Sequence, residues 1–310
     1  MRKIAFFSQK GGCGKTTTCV NIAAALASRG RRILILDLDS NACASRTFGA
    51  LESLENSIAA ALLGLRPLAE VVRPTEIDNI WLVPGATDLH SLDNVEGVLD
   101  PNRRDDLGRL SPVALQLELA QSDLARFDYL LLDCPGGHPF IEHLVLLACD
   151  EVIIPTGLSI YDLYAATPTM HLILMAREAR GDDKPDFLGF LPNGAGRRGV
   201  SRRVQSTLDQ YSLPCLPAVR HSDLIKTLAG MPTVPQRLMV LARPESAVTA
   251  SFRQVAAMID HDPEITGRSE SEMVAAAGPS GATSVPADAQ SSLPLDSEHL
   301  EVVPCAHLGI

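Results

Sequence analysis

Apolar residues in this chain come as short unbroken runs separated by longer stretches with helical spacing. The runs are Ile4–Ser8, Ile33–Asp39, Asn79–Val83, Tyr129–Asp133, Glu151–Pro155 and Phe187–Leu191. Without polar alternation, such runs predict strands buried on both faces, as in a parallel sheet covered by helices. The stretches between them predict helices starting near Lys15 and running to Ala27, near 58–63 (broken by Gly64 and Pro67), over 112–124 and over about 161–179. Another is opened by Arg197–Arg203. Strand and helix alternate from residue 3 to about 220. This predicts an α/β fold: a single doubly wound, mostly parallel sheet. Pro192-Asn193-Gly194 is expected to follow the end of the sixth strand.

Composition changes this picture at one end. From His261 onward eight Asp or Glu stand against one Arg among many Ser, Pro and Ala, so this stretch carries −7 of the net −10. Residues 1–262 are expected to form the folded domain, and 263–310 an acidic, disordered tail. The domain is left near neutrality, so net charge neither implies nor excludes a basic face for nucleic acid. The seven Cys show no C-x-x-C spacing and no His at zinc intervals, and no signal peptide is evident. A reducing cytoplasm is the expected setting. No apolar run approaches the length of a membrane span, and membrane insertion is not expected.

The chemistry gathers at Gln9-Lys10-Gly11-Gly12-Cys13-Gly14-Lys15-Thr16-Thr17, between the first strand and the first helix. Gly11, Gly12 and Gly14 let the backbone turn sharply and bring N–H groups close to a polyphosphate. The helix points the positive end of its dipole at the same anion. Lys15 is expected to neutralise the β- and γ-phosphates, and the Thr16 hydroxyl to bind Mg2+. The carboxyl end of the second strand carries Asp37 and Asp39, one pleat apart, at the sheet edge where ligands of such folds bind. Asp133, closing the strand Tyr129–Asp133, is expected to hold Mg2+ as well. His138 lies nearby without support for a catalytic role.

A standard phosphate loop has Gly where this chain has Gln9, and the string Lys10-Gly-Gly-Cys-Gly-Lys-Thr-Thr17 resembles the deviant Walker A motif of the ParA/MinD family of ATPases. The resemblance covers about residues 2–260 and is closest to ParA-type (Soj-like) partition proteins. It implies a P-loop NTPase fold of the SIMIBI type, ATP and Mg2+ as ligands, and a homodimer formed on ATP binding. In such a dimer Lys10 reaches the partner's ATP. Asp37-Leu38-Asp39-Ser40-Asn41 lies where the family has D-x-D-P-Q, which gives Asp39 the role of orienting water and helping to hold the metal. Ser40 and Asn41 depart from that pattern. Gly136-Gly137 replaces the second Pro of the family's D-C-P-P, which suggests a more flexible segment able to sense ATP against ADP. Asn193, at a strand end, is a candidate to read the adenine edge, with a turn role as the alternative.

The same resemblance implies non-specific DNA binding, nucleoid association and a ParB-like or other cargo adaptor that stimulates hydrolysis. Arg198, Arg202 and Arg203 fall together at helical spacing, and Arg220 matches the Arg of the family's I-P-R segment. The family's second basic position falls near Asp223, with Lys226 as the nearest cation. Several such contacts to phosphates give weak, salt-sensitive binding, and a solvated basic surface is the alternative. An acidic, Pro-containing end argues against MinD-like membrane cycling, isolated cysteines against an iron–sulfur carrier, and the lack of a terminal Tyr cluster against a tyrosine kinase. A nucleotide-gated scaffold with little hydrolysis stays open.

Overall fold

Alternate residues of the central strands turn to opposite faces of the sheet, and both faces are buried. The computed structural model describes residues 1–261 apart from 88, 90, 91, 93–100, 197–201 and 211. Its strands are β1 Arg2–Phe6, β2 Ile33–Asp37, β3 Arg73–Pro74, β4 Ile80–Val83, β5 Tyr129–Asp133, β6 Glu151–Thr156, β7 Asp186–Ala195 and β8 Val219–Arg220. They form one eight-stranded sheet in the order β3-β4-β2-β5-β1-β6-β7-β8. All pairs are parallel except β3 with β4.

The helices are α1 Lys15–Ala27, α2 Cys43–Thr47, α3 Ile58–Leu62, α4 Leu68–Val71, α5 Ala114–Gln121, α6 Pro139–Ala148, α7 Ile160–Arg180, α8 Arg202–Gln210, α9 Leu224–Leu228, α10 Val234–Arg237, α11 Met239–Ala242 and α12 Ala247–His261. Ile4, Phe6, Ile35, Leu131 and Ile153 share one core with Ile22 and Leu26 of α1 and Phe252, Val255 and Ile259 of α12. Ala5, Leu34, Leu36, Leu130, Leu132, Val152 and Ile154 share the other with Leu115 of α5, Leu144 of α6 and Ile173 of α7. This two-sided burial is why the strands read as unbroken apolar runs. Each fully buried Leu, Ile or Phe contributes about 1.5–3 kcal/mol relative to exposure.

The expected fold is present, with adjustments at the strand ends. β2 stops at Asp37 rather than Asp39. β7 runs through Pro192 and Asn193 to Ala195, past the expected stop. β8 pairs with β7 only from Asn193 onward, so the ring at Pro192 interrupts no β7–β8 hydrogen bond. The chain divides into Met1–Ala277 and Gly278–Ile310. The second unit, and the expected tail 263–310, lie outside the described residues. Among the described residues no helix is long and apolar enough to cross a membrane.

Candidate nucleotide site

β1 ends at Phe6, α1 begins at Lys15, and the loop between them lies at the carboxyl edge of the sheet beside the ends of β2 and β5. Gly12 and Gly14 adopt φ of +73° and +91°, a left-handed conformation that only Gly takes without strain. Gly14 is also needed for space, since a Cβ there would meet Asn193 Nδ2 at 2.8 Å. Asn193 is a strand residue, and its Nδ2 donates to Cys13 O at 2.7 Å and to Thr18 Oγ1 at 3.2 Å. Its amide nitrogen therefore clamps the loop from β7.

Lys15 is buried, 7% exposed, and its Nζ donates to Lys10 O at 3.1 Å. Lys10, by contrast, stands on the rim and pairs through Nζ with Asp162 Oδ1. Asp162 belongs to the capping box that starts α7, in which Ser159 Oγ accepts from Asp162 N and Asp162 Oδ2 accepts from Ser159 N. Burial alone would raise the Asp162 carboxyl, but hydrogen bonds from Lys10 and Ser159 outweigh it and leave it lowered. One lysine thus faces inward and the other is held at the surface.

Asp37 and Asp39 divide their work. Asp37 is fully buried, and its Oδ2 accepts from Ser45 N and Ser45 Oγ, both at 2.7 Å. Ser45 Oγ in turn accepts from Gly85 N at 2.9 Å, so Asp37 pins the end of β2 to α2 and to the segment after β4. Burial pushes its carboxyl up to about 6, against the Ser45 bonds that pull it down. Asp39 Oδ1 accepts from Asn41 N and Asn41 Nδ2, both at 2.9 Å. The departure at Asn41 therefore orients the expected water-positioning carboxylate.

Asp133 is the least satisfied group in this part of the molecule. Both carboxylate oxygens are buried, and neither has a hydrogen-bond partner within standard geometry. Burial first, then the neighbouring Asp37 carboxylate, push it well above the ordinary range, with the Thr16 hydroxyl pulling the other way. A buried carboxylate without partners costs free energy unless something supplies donors or positive charge. Asp133, the Thr16 hydroxyl and Asp39 form an all-oxygen set that suits a hard divalent cation. Among the described residues no three His, Cys, Asp or Glu converge into a protein-only metal cage. Mg2+ commonly takes one or two carboxylates and completes its shell with water and phosphate.

Beside Gly12, Cys13, Gly14, Thr17 and Thr18 opens a cavity of about 250 Å³, closed on its far side by Asn193, Val219, Arg220, Ile225, Lys226 and Phe252. Arg220 and Lys226, expected on a DNA-facing surface, thus line the same cavity as the loop. Arg220 Nη1 donates to Gly196 O at 2.9 Å. Arg198 lies outside the described residues, and the backbone of Arg202 and Arg203 opens α8. His138 is the N-cap of α6, where Nδ1 accepts from Ile141 N at 3.5 Å. The partner residues Asp162 and Ser45, and Glu142, whose Oε2 accepts from Gln9 Nε2 at 3.0 Å, were not singled out in the sequence. Only Asp162 had a visible signal, the Ser159-x-x-Asp162 capping pattern.

A family model described as an AAA domain (AAA_31) matches residues 1–182. The chain is 35% identical over 184 residues to the chromosome partitioning protein ParA of Myxococcus xanthus, covering 59% of this chain and 61% of that protein. The match thus spans less than two thirds of that relative. Cobyrinic acid a,c-diamide synthase of Mycobacterium smegmatis, solved with ADP and magnesium, is similar at a TM-score of 0.67 and 26% identity, covering 83% of this chain and 93% of that one. The cell division ATPase MinD of Pyrococcus furiosus is similar at 0.64 and 26%, covering 84% and 98%. The domain match, these likenesses and a phosphate loop with a lysine at each end place the chain in the ParA/MinD family of P-loop ATPases.

Proposed function

We propose that this chain is a Mg2+-dependent ATPase that closes into an ATP-sandwich dimer, binds DNA non-specifically and drives the partition or positioning of a plasmid, chromosome or protein cargo. The observation that carries this reading is the pair of lysines: Lys15 buried against the loop and Lys10 on the rim. The partition role of the M. xanthus relative supports the cargo side, and the ADP and magnesium of the M. smegmatis neighbour support the ligands.

In this reading the glycine backbone and Lys15 bind the phosphates, and Asn193 with the cavity behind it takes the base. Thr16, Asp133 and Asp39 hold Mg2+, which offsets the charge of the phosphate oxygens. Asp39, oriented by Asn41, positions water for in-line attack on the γ-phosphate. Lys10 leaves Asp162 to reach the partner's phosphates, so dimerisation exchanges one ion pair for another. Each closed dimer joins the basic residues of two chains, Arg198, Arg202, Arg203, Arg220 and Lys226, and raises DNA affinity by multivalency. A ParB-like or other adaptor stimulates turnover in a cytoplasmic, nucleoid-associated cycle.

Light scattering with a non-hydrolysable ATP analogue and Mg2+ tests the central step. Wild type should dimerise, and Lys10→Ala should bind the analogue yet stay monomeric. A wild type that remains monomeric with saturating analogue, with or without DNA, overturns the proposal. The departures from the family pattern at Ser40, Asn41 and Gly136 leave a second reading, a nucleotide-gated scaffold. Wild-type turnover no higher than that of Asp39→Ala would select it.

A further inference from the structure

The two places where the phosphate-binding segments depart from the usual pattern meet at one side chain. Glu142 of α6 is 1% exposed. Its Oε2 accepts from Gln9 Nε2 at 3.0 Å, and its Oε1 accepts from Gly137 N at 2.8 Å and His138 N at 3.2 Å. One oxygen serves the phosphate loop, at the position where Gln replaces Gly. The other serves the segment after Asp133, where Gly137 stands with φ +78°.

Helix capping accounts for half of this. Glu142 lies one turn into α6, and a carboxylate there satisfies amides that the helix start leaves without partners. Capping has no need of the second oxygen on Gln9. The two segments also lie close together, because a Cβ on Gly136 would come within 2.9 Å of Lys15 Nζ and 3.4 Å of Gln9 O. They therefore meet beside the lysine assigned to the phosphates, one residue from Lys10.

We propose that Glu142 is a positioning residue that locks the segment 134–138 to the phosphate loop, so that a change of nucleotide felt by one is passed to the other and on to Lys10. The physical reason is burial. A carboxylate shielded from water incurs an uncompensated desolvation cost if either set of donors withdraws, so the two segments move together. This inference rests on the nucleotide reading of the site.

Gln9→Ala removes the bridge and leaves the α6 cap intact, and Glu142→Gln weakens both halves while keeping the shape. Amide hydrogen exchange of the full chain, followed by NMR, reads the bridge directly without nucleotide. In Gln9→Ala, exchange at Gly137 and His138 should accelerate about tenfold while the amides of α12 are unchanged. Unchanged protection at Gly137 and His138, or an equal rise in α12, overturns the bridge.

Turnover gives the second readout. Each variant should lower kcat about tenfold with KM for ATP within about twofold, and the double variant should be no worse than the poorer single. Fully additive losses overturn the coupling. A wild type that binds no nucleotide would instead defeat the proposed function, while the exchange measurement still decides the bridge.

Discussion

The two edges of the sheet use the same residue types to opposite ends. At the amino edge Arg2 pairs with Glu151 at 2.8 Å, Lys3 with Asp150 at 3.0 Å, and Arg29 and Arg31 with Asp260 at 2.9 and 2.7 Å. Tyr129 OH adds a hydrogen bond to Asp260 at 3.1 Å. Burial alone would raise the Asp260 carboxyl, but the bonds from Arg31, Arg29 and Tyr129 outweigh it and lower it. At the carboxyl edge Asp133 is buried with no such partners and is raised. Where the chain supplies the donors, charge fastens α12 to the strands. Where it withholds them, a buried carboxylate is left without a partner.

Lys15→Ala should break the carboxyl edge most completely. Loss of its charge-assisted contacts to phosphate should weaken nucleotide binding at least about 100-fold, read by titration with a fluorescent nucleotide. A loss of less than tenfold would mean that the buried lysine is structural, like its counterparts at the other edge.

Asp260→Ala should show the reverse pattern. It removes the carboxylate that Arg29, Arg31 and Tyr129 share and should cost about 2 kcal/mol in urea unfolding, a figure already reduced because both arginines are part exposed. Nucleotide affinity should not change, and a change would erase the distinction between the edges.

The smallest effect is on pH dependence without metal. Burial pushes the folded Asp37 carboxyl up to about 6 and raises Asp133 in the same sense. Both bind protons in the folded state that the unfolded chain has released, so their stabilising term is full at low pH and lost as pH rises through the folded values. Asp260 runs the other way: its stabilisation is present above 3.8 and lost as pH falls through its lowered value. Asp133→Asn should therefore gain about 1 kcal/mol at neutral pH without Mg2+, measured by urea unfolding across pH. It should also abolish the Mg2+ dependence of nucleotide binding. An unchanged pH profile would show that Asp133 is satisfied after all.

The interior strands were legible because burial on both faces leaves an unbroken apolar run in the sequence. The edge strands β3 and β8, two residues each, leave no such trace. α6 was overlooked because Pro139-Phe140-Ile141 follows the Gly pair directly and hides the helix start among turn signals. The loop residues 10–17, Asp39 and Asp133 could be picked out because phosphate and magnesium demand particular residue types at particular spacings. Their partners could not, since Asp162, Ser45 and Glu142 are ordinary residues until the fold sets them beside Lys10, Asp37 and Gln9.

Local pattern thus determined the interior strands, the phosphate loop and the acids at the strand ends, because these depend on periodicity and on chemistry within a few neighbouring residues. Only the tertiary structure decided which of those groups are satisfied. Hydrogen bonds between Lys10 and Asp162, or Gln9 and Glu142, join residues 152 and 133 positions apart. Pairing over such distances is set by packing of the whole sheet and is written in no local stretch of chain.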